Sequence, residues 1–366
     1  MALQQSSYRG CLLGMAVGDA MGYTVDNRSW QEIQEDYGPN GLLGYDLVNG
    51  YADVTSYTQL AAFTCNGLLF GLTRGQMTGK MAPFIKYIGL SSREWAASQR
   101  PWGRPSRTYC WLLRKAELCR RHCMDSWMLE TLNRKELGTP EEPVNNYANP
   151  GSLTTAIGVG LFLDPDEVPQ SEILRLGAET VALTHGSPIA FLSGAALAHI
   201  ICHSLRSRDK TVREIVQQAM DALLEEYGTA YGQADEVAAW VKMALQLAGD
   251  DAITPIQAME RLRCENAAQV LAGGIYAAIV CQDDFDAAMI AAVNHSGRSA
   301  AVGAITGAIL GARMGEAALP EFYLESLECL EPLQELADDL YQGYPMIVGG
   351  KLFDGDWERK YLHGGI

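Results

Sequence analysis

The 366-residue chain is 48% hydrophobic, which is apolar enough to bury a sizeable core and excludes a disordered chain. Its acids outnumber its bases 44 to 28, for a formal charge of −16; this argues against a nucleic-acid binder, because a phosphate backbone needs a basic face, and leaves open a solvated acidic surface or a basic protein partner. No apolar run is expected to reach the roughly 18 residues of a membrane span, and residues 1–9 lack the charged-then-apolar layout of a secretory signal, so the expected setting is the cytoplasm with no membrane partner.

In chain order, the first predicted element is a helix over residues 10–22 in which glycine and other small residues recur. Residues 36–53, 99–108 and 138–151 are rich in glycine or proline and read as loops; loops of that length inside a helical bundle are expected to rim a cleft. Between and after them, residues 172–205, 211–247 and 255–281 carry Ala, Leu, Met and Glu at helical spacing. Two more small-residue helices are expected at 194–199 and 303–315. Small residues lower helix propensity, so their use predicts close approach of helices around a central pair. No linker, low-complexity tract or fixed-period repeat divides the chain, which reads as one all-α domain over residues 1–366.

Nine cysteines are odd in number and scattered. Cys119 and Cys123, with His122 between them, could form part of a zinc site; the other reading is reduced cysteines acting as small core hydrophobes. Arg100, Arg104 and Arg107 surround Trp102, a cluster that could stack an adenine and grip a diphosphate or could be a solvated loop.

Four segments in order carry a family resemblance. The first runs from Arg9 to Gly22 and ends Gly18, Asp19, Ala20, Met21, Gly22, with an acid, Asp26, four residues on. The second is Thr55, Ser56, Tyr57, Thr58, Gln59. The third joins Gly151, Ser152 and Leu153 to Thr184, His185 and Pro188. The fourth runs from Asn294 through His295, Gly297 and Arg298 to Gly307, with Leu319 and Pro320 following. Together they resemble the ADP-ribosylglycohydrolase family, which includes the dinitrogenase-reductase-activating glycohydrolases, and they span most of the chain. The resemblance implies a single-domain orthogonal helical bundle.

In that family, carboxylates of the second and fourth segments hold two magnesium ions against the substrate ribose. Hard dications require anionic oxygen ligands. The matching positions here are Ser56 and Tyr57, then Arg298 and Ala300, the latter followed by Ala301. All four carboxylates are replaced, one by a cation, so no metal and no cofactor is expected. Asp53 lies two residues before Thr55, and using it as a ligand would break the register of the threonine motif.

The resemblance places a ligand site at Thr55, Ser56, Tyr57, Ser152, His185, His295, Gly297 and Arg298. Arg298 can stand where the cations stood, pairing with Asp19, Asp26 or a ligand diphosphate, or it can fill the space as a structural ion pair. His185 reads as a general acid or base, or as a structural residue at a helix start capped by Thr184; the same two readings are open for His295.

Two functions follow. One is a non-catalytic recogniser of ADP-ribose, an ADP-ribosylated protein or an ADP-ribosyltransferase, such as an immunity protein against an ADP-ribosylating toxin. The other is a metal-independent hydrolase of an N- or O-glycosidic bond, with Asp26 or Asp19 as general base and Arg298 as electrostatic stabiliser. A third, blander reading is a structural homologue whose cleft is filled by Tyr57.

Overall fold

A computed structural model describes residues 4–100, 108–122, 126–345, 347–348, 351–352 and 354–365. Trp102, Arg104, Arg107 and Cys123 lie outside these residues, and with them the arginine–tryptophan cluster and the Cys119–Cys123 pair. Among the described residues the fold is all-α. In order come α1 (Gln5–Tyr23), α2 (Trp30–Tyr37), α3 (Ser56–Thr78), α4 (Phe84–Ser98), a short α5 (Ser126–Leu132), α6 (Thr155–Phe162), α7 (Gln170–Ala182) and α8 (Pro188–Arg206). They are followed by α9 (Val212–Tyr227), α10 (Gln233–Leu247), α11 (Pro255–Leu262), α12 (Ala267–Val280), α13 (Phe285–Val293), α14 (Ser299–Met314), α15 (Glu321–Glu325), α16 (Leu330–Gln342) and α17 (Gly355–His363). A two-residue antiparallel ladder, Ile347–Val348 with Lys351–Leu352, is the exception.

The centre of the bundle is the pair α1 and α14. Gly10, Gly14 and Gly18 lie against Gly311, Gly307 and Gly303, and a Cβ on any of the six would collide with the facing backbone carbonyl. Each glycine costs about 1 kcal/mol of helix propensity; the seam offsets this by letting two backbones pack directly, and it fixes how far α1 slides along α14. Helices α1, α3, α8 and α14 are buried on nearly every face, as expected of helices inside a large core. Outer helices such as α9, α11 and α16 bury one stripe only.

Three sequence expectations need correction. By length and composition α8 is apolar enough to cross a membrane, although no such run was expected; in the fold 89% of its most apolar window is buried, so it serves as a core helix. The long helical stretches are each split. Residues 228–232, between two glycines, separate α9 from α10, and Arg263 and Cys264, with φ of 66° and 51°, turn the chain from α11 into α12, where Asn266 and Gln269 form a capping box. At α8 the N-cap is Ser187, with Pro188 in the first turn; Thr184 does not occupy it.

Candidate functional site

The N-terminus of α3 is built around Asp19. This carboxylate, fully buried, reaches from α1 and accepts four hydrogen bonds: Oδ2 from the Thr55 N–H (2.9 Å), the Thr58 N–H (3.1 Å) and the Thr58 hydroxyl (2.6 Å), and Oδ1 from the Thr55 hydroxyl (2.7 Å). Burial pushes its carboxyl upward and the bonds from Thr58 and Thr55 oppose this. Thr55 is also the local N-cap, accepting from the Tyr57 N–H at 3.2 Å. Two threonines of the motif and one aspartate 36 residues before the first of them thus define where α3 begins.

The remaining first-turn donor is taken from outside. The Ser56 N–H donates to the His122 carbonyl at 3.1 Å, and Gln59 Nε2 donates to the Arg120 carbonyl at 3.0 Å. Residues 119–122 therefore sit on the start of α3. Arg120 anchors them through Asp53 (2.7 Å) and Glu328 (2.5 Å), and the His122 ring stacks on Tyr23 with centroids 5.4 Å apart. The Ser56 hydroxyl is buried without a hydrogen-bond partner among the described residues. Tyr57 is fully buried, and its carbonyl accepts from the Thr154 hydroxyl at 2.7 Å.

Asp26 plays for α14 the part that Asp19 plays for α3. Its Oδ1 accepts from the Ala300 N–H at 3.0 Å, and Oδ2 from Asn27 Nδ2 at 2.6 Å; the Asn27 N–H donates to the Gly297 carbonyl at 2.8 Å. Gly297 is wedged between the Arg263 and Cys264 carbonyls, with no room for a side chain. Arg298 is the N-cap residue of α14. Its backbone N–H donates to the Cys264 carbonyl at 2.9 Å, while its half-buried guanidinium pairs with neither Asp19 nor Asp26, and no hydrogen bond or ion pair to it is found among the described residues. His295 is fully buried beneath this turn. Its Nε2 lies 3.0 Å from the Ala292 carbonyl and so carries the proton, leaving Nδ1 without a partner among the described residues; burial lowers its pKa to about 4.

The third segment forms its own cluster. His185 Nδ1 lies 2.6 Å from the Ser152 hydroxyl and 2.9 Å from the Thr184 hydroxyl, and Nε2 lies 3.0 Å from Asn149 Oδ1. The amide oxygen can only accept, so the proton is on Nε2 and Nδ1 accepts from the hydroxyls. Burial lowers the His185 pKa to about 3, which makes the ring a neutral tie between the 149–152 turn and the start of α8.

The predicted residues thus fall into three groups: Asp19 with Thr55 and Thr58, Asp26 with Gly297, Arg298 and Ala300, and Ser152 with His185. The first two are joined by α1, the first and third by Thr154. Arg120 and Asn149 are not singled out by the sequence, which names His122 only within a possible zinc site and Asn294 only as the start of the fourth segment; Asn294 holds the 41–42 turn against this region, its Oδ1 accepting from the Leu42 N–H at 2.8 Å. Among the described residues no three His, Cys, Asp or Glu side chains gather as a metal site.

A family model described as ADP-ribosylglycohydrolase matches residues 1–346. An uncharacterized protein of Archaeoglobus fulgidus is 26% identical over 361 residues, covering 94% of this chain and 99% of its own. Among solved structures, an ADP-ribosylglycohydrolase-related protein complex superposes with a TM-score of 0.53 at 20% identity, over 92% of this chain and 98% of the other; at that identity the likeness is one of fold.

Proposed function

Because the chain belongs to the ADP-ribosylglycohydrolase family yet carries Ser56, Tyr57, Arg298 and Ala300 where the family's magnesium carboxylates are matched, we propose that it is a non-catalytic recogniser. Its target is ADP-ribose, an ADP-ribosylated protein or an ADP-ribosyltransferase, the last as an immunity protein would bind one.

The residues present do not fit two magnesium ions. Ser56 offers a neutral oxygen, Tyr57 a buried ring and Ala300 nothing, while the Asp19 carboxylate already accepts four hydrogen bonds. Asp53 is paired with Arg120. A hard dication would forgo anionic ligands and meet the Arg298 charge.

The observation that carries the recogniser reading is the Arg298 guanidinium, which makes no ion pair or side-chain hydrogen bond among the described residues, while Asp19 and Asp26 are both used as helix caps. A planar guanidinium is suited to bidentate contact with a diphosphate or carboxylate. Hydrolysis would need a general base, and the engagement of Asp19 with α3 and of Asp26 with α14 disfavours both for that work. We place the protein in the cytoplasm, where its described cysteines, none of them bridged, stay reduced.

Turnover is the test. Incubation with a protein ADP-ribosylated on arginine, in magnesium and in EDTA, is expected to release no ADP-ribose while the protein still binds the modified target. Release above the uncatalysed rate in either buffer would replace this reading with the hydrolase.

A further inference from the structure

A cavity of about 720 Å³ opens on the other half of α3. It is lined by Phe70 and Arg74 of α3, by Lys86, Tyr87 and Arg93 of α4, and by Tyr109. Phe70 stacks on Tyr109 with centroids 5.4 Å apart and meets the Tyr87 ring edge-on at 5.3 Å. A neighbouring cavity shares Phe70, Arg74 and Tyr109 and reaches Leu362 and His363 of α17, so the two form one groove. From Tyr57 to Phe70 is 13 residues of helix, about 20 Å at 1.5 Å per residue, and the groove is separate from the Arg298 region.

Among the described residues, three cations and no carboxylate line the larger cavity, in a chain whose acids outnumber its bases 44 to 28. Arg74 and Lys86 are exposed and belong to no ion pair among the described residues. Arg93 is tied by Nη2 to the Arg134 and Lys135 carbonyls at 2.8 and 2.9 Å, yet its buried Nε–H has no partner among the described residues, and an unsatisfied buried donor is costly. The volume falls within the 300–1,000 Å³ typical of small-molecule pockets, in which an apolar body is oriented by a few polar groups.

We infer that this groove is a binding site for an amphipathic anion, an acyl or aryl body seated on Phe70 and Tyr87 with its acid group toward Arg74, Lys86 and Arg93. The test titrates the whole protein calorimetrically with dodecanoate, and with dodecanol and dodecyltrimethylammonium as neutral and cationic matches, all below their micellar concentrations. Dodecanoate binds at least about tenfold more tightly than either match, and the double variant Arg74→Glu/Lys86→Glu, both positions exposed and outside the core, loses about tenfold or more with an unchanged thermal transition. Equal binding of the three probes, binding of none, or undiminished affinity in the variant overturns the assignment. Sedimentation with phosphatidylglycerol–phosphatidylcholine vesicles separates a free acid from a membrane surface: the protein stays in the supernatant, and co-sedimentation lost in the same variant would overturn the small-molecule site.

Discussion

Asp19 and Thr58 are joined twice, through the Thr58 N–H at 3.1 Å and its hydroxyl at 2.6 Å, so the carboxylate of one central helix is the N-terminal cap of another. If that is its role, removing it harms stability before it harms any chemistry. Asp19→Ala leaves two N–H groups and two hydroxyls buried without an acceptor and is expected to cost on the order of 3 kcal/mol or more in urea unfolding. Asp19→Asn retains one acceptor and should recover part of the loss. A stable Asp19→Ala protein would mean that α3 does not depend on this cap.

The glycine seam gives a steeper prediction. Gly307→Ala puts a methyl group into the Gly14 carbonyl and is expected to destabilise by about 3 kcal/mol or to abolish soluble folding. Gly44→Ala, with nothing within 4 Å of the new Cβ, should stay within about 0.5 kcal/mol of the parent. Comparable thermal transitions for the two variants would refute direct backbone contact between α1 and α14.

Much of this was legible before any coordinates. The small residues of 10–22 and 303–315 predicted a close central pair, and the four motif segments identified the family. The covering of α3 was not legible, because Arg120 and His122 lie outside the four family segments and reach Gln59 and Ser56 across more than 60 residues; periodicity reports a helix's buried face and not which loop sits on its end. The role of Asp19 was hidden for a similar reason: an aspartate in Gly-Asp-Ala reads as a free acid until its four donors are seen. The split of 255–281 had a signal in Asn266 and Gln269, a capping box overlooked inside an apolar run.

A buried neutral histidine makes stability depend on pH. Burial holds His185 near 3, whereas the unfolded chain takes up the proton near 6.5, so the unfolded state binds more protons between these values. Stability is complete above about pH 6.5 and falls as pH drops through that window, by about 1.4 kcal/mol per pH unit. Other groups titrate as well, so the test is a difference: the stability gap between wild type and His185→Gln should shrink by about 1.4 kcal/mol from pH 7.5 to 5.5. A gap that holds constant would show that the folded protein accommodates the protonated ring.

Arg298 makes no side-chain ion pair or hydrogen bond among the described residues, so Arg298→Ala is expected to change stability by no more than about 0.5 kcal/mol. Its effect should appear in binding, as a loss of about tenfold or more in affinity for ADP-ribose, since a charge-assisted contact to a diphosphate is worth about 1.5–3 kcal/mol. A destabilised variant with unaltered affinity would return Arg298 to a purely structural role.

The most direct test of the account is a calorimetric titration of the intact protein with ADP-ribose, once in EDTA and once in millimolar magnesium. A metal-free recogniser binds with the same affinity and stoichiometry in both buffers and leaves the ligand unchanged. Binding that appears only with magnesium, or no binding in either buffer, would contradict the claim that this fold retains a working nucleotide site without its metal carboxylates.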